Sequence, residues 1–220
     1  MSDVQNVQKA SRKAPLSTIA GAHVREMILS KLLPAGSVVR PEDVGRELGI
    51  SQTPAREALQ TLKTEGFLQL QQGVGFVVSP LTAQDIRDIY TAQGMLAGEI
   101  AARAVTHASE DDILELEAIH FELLAASRRK AKDVVEERNH AFHRHMSLLS
   151  QAPKLVHLLG IVSHYVPRTF YAEVDGWVDV SAEDHQEIID AFHARDPEAA
   201  RRAMVEHMHN AGDMLARTFD

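Results

Sequence analysis

The 220-residue chain contains no cysteine, which excludes disulfides and thiolate-bound metals. No apolar run approaches the ~20 residues needed to span a bilayer. The N-terminus is polar and unlike a secretory leader, so the expected location is the cytoplasm with no membrane partner. Internal repeats and low-complexity segments are absent. There is no basic excess either: 23 Lys and Arg against 31 Asp and Glu leave a net charge of −8. What the chain does have is apolar material, 45% of its residues, enough for a core of ordinary density in each of two domains.

The acidity is not evenly spread. Residues 1–15 carry Lys9, Arg12 and Lys13 against Asp3 and are expected to form a disordered tail. Residues 16–80 are balanced, and the whole acidic excess falls in residues 81–220. Local potential at a binding face governs phosphate contact, so a negative total does not exclude DNA.

The segment 48–67, LGISQTPAREALQTLKTEGF, carries the most information. Before it, Val44 and Leu48 are spaced i,i+4 on a short helix that Pro41 can start and Gly49 can end. Ser51 is placed to cap the next helix through its hydroxyl, with Pro54 in the first turn. Ala55, Ala58, Leu59 and Leu62 then recur at i, i+3, i+4 and i+7, which turns one face inward. The opposite face presents Gln52, Arg56, Gln60 and Lys63, side chains of the types that reach base edges and phosphates in a major groove. After Gly66 the period shortens: Phe67–Leu70 and Phe76–Val78 are β-prone runs joined by a Gly-containing loop. Helix, turn, helix and hairpin together read as a winged helix over residues 16–80. On periodicity alone, an ordinary amphipathic helix beside an incidental hairpin remains open.

Residues 24–80 resemble the N-terminal domain of GntR-type transcriptional regulators, through VREMILSKLLPAGSVV and LGISQTPAREALQTLKTEGF. The resemblance implies operator contacts from Ser51, Gln52, Thr53 and Arg56, with Gly73 at the wing tip. The family usually has Arg where this chain has Gln52. Gln suits an adenine edge and Arg a guanine edge, so a different operator is expected.

From Leu81 the helical period dominates. The spacing predicts six helices, 82–105, 110–128, 133–150, 154–173, 181–194 and 197–218, forming an antiparallel bundle. Thr82 and Asp85 resemble a helix-start signal. Eleven of the twelve histidines lie here. Lone helical histidines are usually solvated or hydrogen-bonded in the core. His143, His185 and His207, however, each share an apolar stripe of a different helix and could share a cation, with Asn139 one turn before His143 offering an oxygen. His120 also lies on an apolar stripe.

NHAFHRHMSLLS and EDHQEIIDAFHARDPEAARRAMVEHM resemble helices of the FCD ligand-binding domain of FadR-type GntR regulators. The resemblance implies a divalent ion, zinc or nickel, on Asn139, His143, His185 and His207, completed by a carboxylate effector. Two departures stand out. Asn139 replaces the commoner Asp, and IYTAQGMLAGE places Gln93 at the effector-binding Arg and Ala97 at a Glu. His164, Tyr165 and Arg168 are candidates for the missing effector contacts.

An enzyme reading competes. Glu117/His120, Glu137/His140 and Glu206/His209 fit the Glu-x-x-His spacing of di-metal bundles, and a mononuclear hydrolase could use Glu183 or Asp184 as base. Neither explains the winged helix. The expected protein is a homodimeric repressor of a pseudo-palindromic operator on double-stranded DNA, responsive to a small organic or amino acid carboxylate.

Overall fold

The computed structural model describes residues 15–166 and 176–219. Apart from Pro15, the expected disordered tail lies outside the described residues. The chain divides into two compact units after Leu81.

The first unit contains α1 (Leu16–Leu29), β1 (Val38–Val39), α2 (Pro41–Leu48), α3 (Gln52–Thr64), β2 (Leu68–Gln71) and β3 (Gly75–Val78). Pro41 opens α2, and Gly49, left-handed at φ 65°, closes it. Ala55, Ala58, Leu59 and Leu62 of α3 are all buried, as are Ala20, Val24 and Ile28 of α1, the helix that packs against it. Burying a leucine side chain of this kind stabilises by about 1.5–3 kcal/mol.

One expectation needs correction here. Ser51 occupies the N-cap position in extended backbone, but its hydroxyl makes no capping bond. The third helical residue is Pro54, which lacks the N–H that a serine cap ordinarily receives. The expected hairpin forms from β2 and β3. A third strand joins it in the antiparallel order β1-β3-β2, with Val39 opposite Phe76 and Leu68 opposite Val78. Two residues of β1 are too short to display a period.

The second unit is all helical among the described residues: α4 (Ala83–His107), α5 (Glu110–Arg128), α6 (Lys132–Leu149), α7 (Pro153–Ser163), α8 (Trp177–His193) and α9 (Pro197–Ala216). Reciprocal capping boxes open α4 (Thr82 with Asp85) and α5 (Ser109 with Asp112), and Asp196 caps α9. The central pair is α4 with α9, antiparallel, tied at one end by Arg87–Asp213 and at the other by Arg201–Glu99. They approach closely because of glycine. A Cβ at Gly98 would lie 2.8 Å from Val205 Cγ2, and one at Gly212 would lie 2.6 Å from Tyr90 Cβ. Around this pair, α5 packs on α6 and α8, and α7 rests on α4. Ile113, Leu116, Phe142, Ile188, Phe192 and Met204 fill the centre.

Helix boundaries differ from expectation around the fourth and fifth helices. α7 ends at Ser163, and the remainder of the expected 154–173 helix continues into a turn and then leaves the described residues. α8 begins at Trp177 and not at 181. Trp177 is buried against Leu123, Ala126 and Val135, and this apolar anchor extends the helix through what reads in sequence as a break. No described helix is long and apolar enough to cross a membrane.

Candidate functional site

In the first unit, the inward stripe of α3 fixes what its other face shows. Gln52, Thr53, Arg56, Gln60 and Lys63 are all exposed, as is Ser51 just before them. Gly73 sits in the turn between β2 and β3 at φ 78°, a conformation glycine adopts without strain, and is exposed too.

In the second unit, α6, α8 and α9 bring His143, His185 and His207 together, with one ring nitrogen of each within 4.8 Å of the others. His143 Nε2 and His207 Nε2 are 3.2 Å apart. His185 is fully buried, its ring stacked on Phe142 at 4.0 Å. Burial pushes the His185 and His143 pKa values well below the usual imidazole value, and the neighbouring imidazoles push the same way. His143 keeps part of its surface open to an adjacent cavity, yet its ring is enclosed enough for desolvation to dominate. Both rings are therefore held neutral, the form that ligates metal.

A carboxylate stands behind the cluster. Asp184, nearly buried, lies 3.1 Å from His207 Nδ1 through Oδ2 and accepts from Asn210 Nδ2 at 2.9 Å through Oδ1. With Nδ1 committed to Asp184, the lone pair of His207 Nε2 faces the cluster, the usual arrangement of a carboxylate behind a metal-bound histidine. The same contacts occupy the carboxylate that the sequence offers as a hydrolytic base.

Asn139 lies one turn before His143 on α6. It is 3% exposed, and its Oδ1 has no hydrogen-bond partner. His185 Nδ1 is likewise unpartnered. Buried polar atoms without partners are uncommon, and an ion accepting these lone pairs would remove the cost. Two imidazole nitrogens on one tetrahedral zinc ion lie about 3.3 Å apart, close to the His143–His207 separation. The residues present thus fit a divalent ion.

Beside the cluster is a cavity of about 320 Å³, lined by Asn139, His143 and His207 and also by Gln93, His140, Ser147, Ser163 and His164. Of the expected effector contacts, Gln93 and His164 line it, Tyr165 does not, and Arg168 lies outside the described residues. Sequence reasoning missed His140, Ser147 and Ser163 as lining, and it missed Asp184 as a partner of His207. His140 and Ser147 flank His143 on its own helix, and that proximity was the available signal.

The di-metal arrangement does not form. Glu117 pairs with His193, Glu137 with Arg138, and Glu206 and His209 are exposed. Among the described residues, the His143–His185–His207 group is the one cluster with metal-binding geometry. His120 is 2% exposed, with its ring 5.8 Å from that of His185 and its Nδ1 unpartnered.

Comparison with known proteins agrees with this division. Residues 16–78 match the model for bacterial regulatory proteins of the gntR family, and residues 88–210 match the FCD domain. The chain is 30% identical over 207 residues to a probable D-xylose utilization operon transcriptional repressor of Paenarthrobacter nicotinovorans, with 90% of each chain covered. It is 22% identical to the HTH-type transcriptional repressor RspR of Escherichia coli, covering 87% of this chain and 85% of that one. Among solved structures, E. coli McbR/YncC superposes with a TM-score of 0.70 at 19% identity, covering 94% of this chain and all of that one. The gntR family model describes bacterial regulatory proteins, and both curated relatives are named as transcriptional repressors, which removes the enzyme reading. The chain belongs to the GntR family of transcriptional regulators, with an FCD domain as its second unit.

Proposed function

We propose that the protein is a homodimeric, metal-containing repressor whose affinity for its operator is controlled by a small organic or amino acid carboxylate. The convergence of His143, His185 and His207 beside a cavity, with a buried unpartnered Asn139 oxygen in its wall, carries this reading. Zinc or nickel would be held by these four residues. Once bound, the ion supplies positive charge for the effector's carboxylate. Asp184 fixes the ring of His207, Phe142 stacks on that of His185, and the burial of both rings strengthens each charge interaction beside them.

Ser51, Gln52, Thr53, Arg56, Gln60 and Lys63 would enter a major groove, with Gly73 bringing the wing to the backbone. Two copies related by two-fold symmetry read a pseudo-palindrome. The name of the D-xylose relative supports a repressor, and a role on cellular DNA favours a cytoplasmic location.

The test has two parts. Selection of bound fragments from random DNA should return a two-fold repeated motif, and elemental analysis should find close to one zinc or nickel per chain. A thermal-shift screen of organic acids with and without chelator then reads the effector, since a ligand stabilises by about RT ln(1+[L]/Kd). Stoichiometric metal that survives both His185→Ala and His207→Ala would remove the assigned site.

A further inference from the structure

Gln93, on α4, is 4% exposed and lines the cavity, and its Nε2 has no hydrogen-bond partner. A buried amide donor left unpaired is costly unless a ligand completes it. Its neighbours along the α4 wall, Ala97, Ile100 and Ala101, offer only apolar contact. Among the described lining residues there is no lysine, arginine, aspartate or glutamate. Apart from its histidines, a bound divalent ion would therefore be the one source of positive charge in the described lining.

We infer that Gln93 is a specificity-determining residue that selects the end of the ligand remote from the ion. The cavity takes a monocarboxylate whose far end carries an uncharged oxygen, a hydroxyl or a carbonyl, in preference to a dicarboxylate. This rests on the reading of the site as a metal-carboxylate effector pocket. An Nε2–H donating to a neutral oxygen satisfies both atoms at once. A second carboxylate there would receive the same single bond from a neutral amide, yet it would bury an anion with no lysine or arginine among the described lining residues to pair with it. Arginine differs in kind, because its guanidinium brings both a charge and a two-pronged donor set matched to carboxylate.

The experiment is calorimetric titration of the full-length, zinc-loaded protein with matched acids: γ-hydroxybutyrate against succinate, and δ-hydroxyvalerate against glutarate. In at least one pair the parent should bind the hydroxy acid about tenfold or more tightly than the diacid. Gln93→Met, which keeps the length and removes the donor, should erase that preference, and Gln93→Arg should invert it. Gln93→Met should not melt earlier without ligand by losing a donor bond, because Nε2 has no partner to lose. A parent that prefers the diacids, or a ratio unchanged in Gln93→Met, overturns the role of Gln93 and leaves the metal-carboxylate reading standing. Binding that is unaffected by removal of zinc, or no binding of any of the four acids, overturns that reading and this inference with it.

Discussion

Asp184 precedes His185 in the chain but serves His207, and the consequences of that pairing can be measured. Its Oδ2 lies 3.1 Å from His207 Nδ1, so Asp184→Asn keeps the shape while replacing an anion with a neutral amide. Metal affinity should fall about 10–100-fold, as for other partners behind metal-bound histidines. Competition against a chelator of known affinity measures this, and a cobalt-substituted absorption spectrum that shifts in step separates a ligand-field effect from general loosening. Unchanged affinity would show that Asp184 only supports the helix packing. Asn139 is the complementary case. Asn139→Asp should tighten the ion by adding an anionic ligand, but weaken a carboxylate effector by placing like charge beside it. Tighter effector binding in that variant, read by calorimetry, would contradict the metal-carboxylate mechanism.

As the proposed recognition helix, α3 would make two kinds of DNA contact. Arg56→Ala should cost about 1–3 kcal/mol on the operator and relax specificity at one position per half-site, if the side chain reads a base. Lys63→Ala should instead weaken operator and random DNA alike and reduce the salt slope, because a phosphate contact acts through counterion release. Equal operator affinity for Arg56→Ala and the parent would take Arg56 out of the interface. Much of α3 is legible in sequence, since Ala55, Ala58, Leu59 and Leu62 mark a buried stripe at helical period and all four are buried. The helices that carry His143, His185 and His207 are legible for the same reason. Other elements are not. β1 has two residues and owes its existence to pairing with β3. Trp177 starts α8 only because Leu123, Ala126 and Val135 form a pocket for it. The bond from Asp184 to His207 depends on how α8 and α9 pack, and no spacing along one helix encodes it.

Taken as a whole, the protein places neutral imidazoles in the interior of its second unit, and this makes its stability depend on pH in a defined direction. Burial lowers the pKa of His120, His143 and His185 from the ordinary 6.5. The unfolded chain therefore binds protons at these positions at a pH where the folded chain does not. As the pH falls below about 6.5, protonation favours the unfolded state, and stability present above that value is progressively lost. A bound ion steepens the decline, since protons compete with it for the same nitrogens and the stabilisation from metal shrinks as its apparent affinity falls. Melting curves of zinc-loaded and chelator-treated protein between pH 7.5 and 5 should show both forms melting earlier toward acid, with the gap between them closing. A zinc-dependent gap of constant size across that range would mean that the ion is not held by imidazoles. A flat profile for the metal-free protein would mean that these histidines do not resist protonation in the folded chain.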